Sequence, residues 1–259
     1  MINFELEEID KNIIAVTEEI LPDNTLISFL SKGSKRIRAR LAFLLLKAFE
    51  KTSDRTIYDI ITAGELIHNA SLLHDDVVDN SELRRGTTTL CKKYSSNISI
   101  LCGDYVVSAA TKLLININNT EIFNIFNNCV KDMASAEVKQ YFIRGQNPDI
   151  NTYLEICKGK TAGLFKAILR SCALYLNMDK ELFEKFGELF GIAFQINNDL
   201  ESFSAKEDKK NNIHTAVDVL GIENTNILLD NYKQELRVLL KTVPDNRYRM
   251  ELEDIIEKL

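Results

Sequence analysis

Apolar residues recur every three or four positions along almost the whole chain, and persistent two-residue alternation is nearly absent. That periodicity predicts helices near 5–20, 36–50, 56–79, 87–115, 119–143, 150–176, 180–203, 214–220 and 223–258. The breaks fall at Pro22-Asp23-Asn24, Thr52-Ser53-Asp54, Asn116 to Asn119, Gly145-Gln146-Asn147-Pro148 and Asn177-Met178-Asp179, all rich in turn formers. Connections this short favour antiparallel neighbours, so the expected fold class is all-α: an antiparallel helical bundle. Facing helices in such a bundle can leave a central cavity with polar groups at its mouth, which suits a long apolar substrate. No internal repeat or low-complexity tract is evident, and the Asn-rich patches at 115–128 and 211–226 read as loop and helix surface.

Composition narrows this picture. A chain of 259 residues, 45% hydrophobic, with ten Gly and three Pro and no linker-like stretch, is expected to form one domain over 1–259. A net charge of −6 argues against nucleic acid as a partner, because polyanion binding needs a basic face. No stretch approaches twenty uninterrupted apolar residues, so no transmembrane segment is expected. The N-terminus lacks the basic-then-apolar order of a signal peptide, and a cytoplasmic location is the expectation. Cysteines 91, 102, 129, 157 and 172 show no CxxC spacing and lie mostly in apolar runs, which reads as buried free thiols.

The chemistry is concentrated in Leu73-His74-Asp75-Asp76-Val77-Val78-Asp79, followed by Arg84-Arg85-Gly86. On a helix, Asp75 and Asp79 stand one turn apart and project in the same direction. Such a pair offers Mg²⁺ an open half-site, to be completed by waters and phosphate oxygens, while Arg84 and Arg85 match phosphate with planar forks. A solvated helix end would explain a bare DDxxD. Here, however, the acids close a mostly apolar segment from Ala63 to Leu73, and carboxylates there need partners. With no Lys or Arg between Thr62 and Leu83, a metal or a distant basic loop is expected to supply them. A second basic cluster, Lys32, Lys35, Arg36, Arg38 and Arg40, reads as half of another phosphate pocket.

These segments together resemble the trans-isoprenyl diphosphate synthases, the polyprenyl synthetase family. The resemblance runs over roughly residues 30 to 200. It comprises Gly33-Ser34-Lys35-Arg36-Ile37-Arg38, Glu65 through Asp76, Gly103-Asp104-Tyr105, Lys160-Thr161-Ala162 and Phe194-Gln195. It implies a Mg²⁺-dependent prenyltransferase of isoprenoid biosynthesis that condenses isopentenyl diphosphate with an allylic diphosphate. By the same resemblance, Asp75, Asp76 and Asp79 form the first aspartate-rich motif, and Arg84 contributes to the allylic diphosphate site. Lys35, Arg38, His68 and Arg85 match positions that bind isopentenyl diphosphate. Lys160, Thr161 and Gln195 match positions lining the allylic diphosphate and the nascent cation, so Asp75, Asp76, Asp79, Lys160 and Gln195 are the catalytic set. The resemblance further implies that the departing diphosphate takes the proton, that roughly two or three Mg²⁺ ions act with it, and that the expected assembly is a homodimer or a heteromer with a second synthase subunit.

The second aspartate-rich motif departs from the family. The chain has Asn198-Asp199-Leu200-Glu201-Ser202 where the family has Asp-Asp-x-x-Asp, and Ile213-His214-Thr215 where a lysine is usual. Asn198 and Asp199 are the candidate ligands of a second metal site, whose Mg²⁺ affinity should fall with its charge. Two alternatives to a synthase follow: a class I terpene-cyclase-like enzyme, or a weakly active or non-catalytic prenyl-diphosphate-binding subunit. Asn198 and Ser202 suit the cyclase triad, but Lys206 stands at its third position and Glu207 is one residue out of phase. Along the helix before Asp75, the small residues Ser71, Ala70 and Gly64 leave only Ile67 as bulk, at about 5.4 Å per turn; this predicts products longer than about fifteen carbons.

Overall fold

The computed structural model describes residues 2–17, 20–31, 34–205 and 214–259. Lys32, Gly33, Lys206, Glu207, Lys209, Lys210 and Ile213 lie outside the described residues. The helices are α1 (Asn3–Thr17), α2 (Thr25–Ser31), α3 (Ile37–Ala48), α4 (Arg55–Val78), α5 (Leu90–Lys93), α6 (Ser96–Asn116), α7 (Thr120–Phe142), α8 (Ile150–Cys157), α9 (Gly163–Tyr175), α10 (Lys180–Ala205), α11 (Ala216–Leu220), α12 (Ile222–Leu240) and α13 (Arg247–Glu257). A π-helical turn, Lys158–Ala162, joins α8 to α9. The all-α expectation holds, with one small exception: strands β1 (Leu83–Arg84) and β2 (Thr87–Thr88) pair as a two-stranded hairpin.

Local chemistry explains where the expected elements divide. The run expected at 87–115 splits because Thr89 caps α5 and Ser95 caps α6, each accepting a backbone N–H in the first turn. The run expected at 223–258 is interrupted around Pro244, and Asn246 caps α13. Helix α2 was not anticipated, because its seven residues are too few for periodicity to register.

The described residues gather into two compact units, residues 1–43 with 52–123 and residues 44–51 with 124–259. In the first, α4 is the core helix. It starts at the Asp54 cap and is buried without interruption from Ile60 to Ile67. Ile60, Ile61, Leu66 and Leu73 are fully buried, each contributing about 1.5–3 kcal/mol by removal from water. Helix α6 packs along it: Ser99 Oγ donates to the Leu73 carbonyl at 2.8 Å, and Gly103 leaves the space that the His74 ring fills, where a Cβ would lie 2.3 Å from Nε2. Tyr105 Oη donates to the Val16 carbonyl of α1 at 2.7 Å. Among the described residues α6 alone is long and apolar enough to cross a bilayer by length and composition, although Asp104 and Lys112 interrupt it.

In the second unit α9 and α10 run antiparallel. Their close approach depends on Gly187 and Gly191, where a Cβ would stand 2.8 Å from Lys166 Cα and 2.4 Å from Ala162 Cα. Phe186, Phe190 and Phe194 stack along one face of α10 with centroids 6.2–6.3 Å apart, and Phe165 of α9 tilts against Phe190 at 5.4 Å. Helix α12 packs on α10 and α13 on α12, where Arg237 pairs with Glu257 at 2.7 Å. Four of the five free cysteines are buried, and Cys91 is half-buried.

Candidate active site

In the first unit, cations gather around one imidazole. The hairpin turn Arg85-Gly86 has positive φ at both residues, 52° and 71°, as a two-residue turn of this hand requires. A left-handed arginine costs about 1–2 kcal/mol, so the site holds strain in its backbone. Arg36 is also left-handed (φ 46°) and ends the loop before α3. The hairpin carries Arg84 and Arg85, and the loop and first turn of α3 carry Arg36 and Arg38. The His68 pKa lies well below its ordinary value because of burial and then the positive charges of Arg38, Arg85, Arg36 and Arg84. Arg36 and Arg84 have carboxylate partners, Glu65 and Asp10 for the one and Asp76 for the other, and the four guanidiniums together match the acceptor-rich oxygens of a polyphosphate. Lys35 is exposed on the preceding loop.

Sequence reasoning missed what holds this cluster. Arg36, 4% exposed, pairs with Asp10 at 2.8 Å and Glu65 at 3.3 Å and donates to the Leu30 carbonyl at 2.8 Å. Glu65 also accepts the Ala39 N–H in the first turn of α3, at 3.2 Å. That carboxylate therefore ties the basic loop and the helix N-terminus to α4. The available signal was Glu65 itself, an acid inside an apolar helix.

The three aspartates meet different surroundings. Asp75 and Asp79 are half-buried on the last turn of α4, and the Asp79 N–H closes that turn on the Asp75 carbonyl at 2.8 Å. Asp76 is fully buried, and Arg84 reaches its Oδ1 through Nε at 2.8 Å and Nη2 at 2.7 Å. Burial raises the Asp76 pKa, opposed by the Arg84 charge. The partner expected of a basic loop is thus supplied to Asp76 by the hairpin. Its Oδ2 is buried with no hydrogen-bond partner. Among the described residues no three His, Cys, Asp or Glu side chains form a ready metal cage. The hard oxygens of Asp75 and Asp79, with the orphaned Oδ2 of Asp76 on the same turn, fit an open Mg²⁺ half-site. His74, next to Asp75, contacts Asp104 at 3.3 Å, which accounts physically for Gly103-Asp104-Tyr105.

The second unit assembles the other candidates. The π turn carries Lys160 and Thr161, a distortion common at functional sites. Lys160 pairs with Glu137 and donates to Gln140 Oε1 at 2.5 Å, so it is held by α7 and does not run free to solvent. Thr161 Oγ1 donates to Gln195 Oε1 at 2.8 Å, and Gln195 Nε2 donates to Asp199 Oδ1 at 2.8 Å. Asp199 Oδ2 accepts from Tyr153 Oη and from the Ala216 N–H, both at 2.7 Å. Burial, and then the charges of Cys157 and Asp199, push the Tyr153 hydroxyl far above its ordinary pKa, so it remains a donor. Asn198 is half-buried one residue before, and Ser202 Oγ donates to the Asp199 carbonyl at 3.1 Å. Tyr153, Glu137 and Gln140 gave no sequence signal.

The first unit thus carries paired aspartates and an imidazole with arginine neighbours, and the second carries a Lys-Thr-Gln cluster. Residues 22–250 match the family model described as polyprenyl synthetase, and the chain belongs to that family. It is 32% identical over 203 residues to the octaprenyl diphosphate synthase of Escherichia coli (strain K12), covering 74% of this chain and 62% of that protein. The chain spans about half the length of other curated relatives it matches. Its fold is that of a heptaprenyl diphosphate synthase from Staphylococcus aureus, with a TM-score of 0.89, 22% identity, and coverage of 100% of this chain and 97% of that one. A geranyltransferase from Helicobacter pylori, solved with magnesium and isoprenyl diphosphate, superposes with a TM-score of 0.77 at 20% identity, covering 99% and 96% of the two chains.

Proposed function

We propose that this chain, acting as one domain over 1–259, is a trans-polyprenyl diphosphate synthase that condenses isopentenyl diphosphate with an allylic diphosphate. The carrying observation is His68 with Arg36, Arg38, Arg84 and Arg85 as its charged neighbours, about two and three turns before Asp75 and Asp79 on the same helix. Arg38, Arg85, His68 and Lys35 bind the isopentenyl diphosphate. Arg84, Lys160, Thr161 and Gln195 orient the allylic partner, and Lys160 supplies fixed positive charge where the leaving diphosphate develops its own. Asp75 and Asp79 hold divalent cation, and when bound that cation neutralises the departing diphosphate. Apolar walls keep water from the allylic cation, the double bond of isopentenyl diphosphate attacks it, and the departing diphosphate takes the proton. The long-chain relatives support a product longer than farnesyl. Exposed Leu101, Tyr105 and Ile115 on α6 support assembly with a second copy or a related subunit.

A specific observation favours a second reading, a weakly active binding subunit. Asn198 and Ser202 replace two carboxylates, and Asp199 accepts three hydrogen bonds from within the protein. Incubation with Mg²⁺, isopentenyl diphosphate and each allylic diphosphate separates the readings. Longer diphosphates support the synthase, hydrocarbon or alcohol from one substrate indicates a cyclase, and saturable binding without turnover indicates a binding subunit.

A further inference from the structure

Asp199 remains an aspartate in the altered second motif, and it is only 5% exposed. Three donors from three elements converge on it: Tyr153 Oη from α8, Gln195 Nε2 from α10, and the N–H of Ala216, the first residue of α11. Oδ2 takes two of them and Oδ1 the third. A buried carboxylate held in this way has its charge met in large part by oriented dipoles, and a cation would have to compete with three donors for it.

The chain of donors continues in one sense only. A carboxylate cannot donate, so the Gln195 amide must turn its NH₂ to Asp199 and its Oε1 the other way. Thr161 Oγ1 then donates to that Oε1 at 2.8 Å. Asp199 thereby fixes which face of Gln195 is an acceptor and where the Thr161 hydroxyl points. The Thr215 capping box sets the first turn of α11, and the Ala216 N–H bond ties that turn to α10.

We propose that Asp199 is a positioning residue, not a magnesium ligand: it orients Gln195, and through Gln195 Thr161, for the allylic diphosphate. This rests on the synthase reading of Gln195 and Thr161. It also gives the altered motif a physical meaning, since the motif retains the aspartate that the hydrogen-bond chain needs while its flanking carboxylates are replaced.

The test is Asp199→Asn, a nearly isosteric change. With the asparagine oxygen kept toward Tyr153 and Ala216, its NH₂ meets the NH₂ of Gln195, so Gln195 must turn and Thr161 loses its acceptor. Adding Gln195→Glu restores an acceptor for both the asparagine and Thr161. Thermal unfolding is measured on the parent, each single variant and the double variant, and calorimetry follows farnesyl diphosphate binding across a Mg²⁺ titration. We expect Asp199→Asn to lower the melting temperature by about 3–8 °C, with recovery in the double variant. Farnesyl diphosphate should bind it about tenfold more weakly, the scale of one charge-assisted hydrogen bond, with half-saturating Mg²⁺ unchanged within about twofold.

An unchanged melting temperature with a roughly tenfold rise in half-saturating Mg²⁺ would make Asp199 a metal ligand and overturn the proposal. A lowered melting temperature with unchanged diphosphate binding would overturn it too, leaving Asp199 a purely structural tie. A parent that binds no allylic diphosphate overturns the synthase reading instead; the melting arm then still decides whether Asp199 orients Gln195.

Discussion

Asp75, Asp76 and Asp79 occupy one turn of α4, yet burial gives them different work. Asp75 and Asp79 retain accessible carboxylates on one side of the helix end. We expect Asp75→Ala or Asp79→Ala to lower turnover by at least about a hundredfold, on the scale of roughly 3 kcal/mol for lost charge stabilisation. Their melting curves should stay near the parent's; unchanged turnover in a soluble variant would remove the metal assignment. Asp76 instead depends on Arg84. Removing that guanidinium leaves a fully buried carboxylate unbalanced, so Arg84→Ala should destabilise the fold by about 2–4 kcal/mol at pH 7, measured by chemical denaturation. The sign with pH follows from the raised Asp76 pKa. A carboxyl whose folded pKa is above its unfolded value favours the fold while protonated, and that contribution is lost as pH rises through the folded pKa. Loss of Arg84 removes an influence that lowers this pKa, so the variant's deficit should shrink as pH falls through its further raised folded pKa.

At the level of the helices, close approach and wall shape decide the outcome. Gly191 lets α10 lie against Ala162, and the backbone there cannot yield to a methyl group as a flexible side chain could. Gly191→Ala should therefore destabilise by about 1–3 kcal/mol and raise the allylic-substrate KM by displacing Gln195 one turn on; an unchanged denaturation midpoint would contradict this packing account. Helix α4 sets the expectation for product length. Ala70 and Gly64 are fully buried in packed protein and Ile67 nearly so, whereas Ser71 remains half-buried, one turn before Asp75. An aromatic at Ala70 would disturb the core, so Ser71→Phe is the better probe. Chromatography of its products should show shorter chains than the parent's, and identical chain lengths would mean that another element sets the floor.

For the molecule as a whole, the fold likeness extends over nearly the entire chain while curated relatives are longer. The exposed apolar side chains of α6 include Leu101 and Ile115, 61% and 60% exposed, and Leu101 and Tyr105 stand one turn apart. A second copy is the partner we expect there. Leu101→Lys should weaken self-association by about tenfold or more, read by sedimentation velocity, because a charge buried at such an interface has no partner. If the parent sediments as a monomer at micromolar concentration, this face serves some other contact.

By itself the sequence determined the helical class, the breaks at turn formers and the roster of diphosphate-binding candidates. The helices, their breaks and the paired acids depend on short-range rules, namely helical period, capping chemistry and acids spaced one turn apart; His68, Lys160, Thr161 and Gln195 joined the roster through the family resemblance. Only the tertiary structure decided that Arg36 is a buried tie to Glu65 and Asp10, that Asp76 is balanced by an arginine on a two-residue hairpin, and that Asp199 sits at the hub of Tyr153, Gln195 and Ala216. Gln195 apart, which stands one helical turn before Asp199, each of these partners is distant in sequence or held by a left-handed backbone turn. A charge's role depends on what burial leaves around it, and residue spacing carries no record of that.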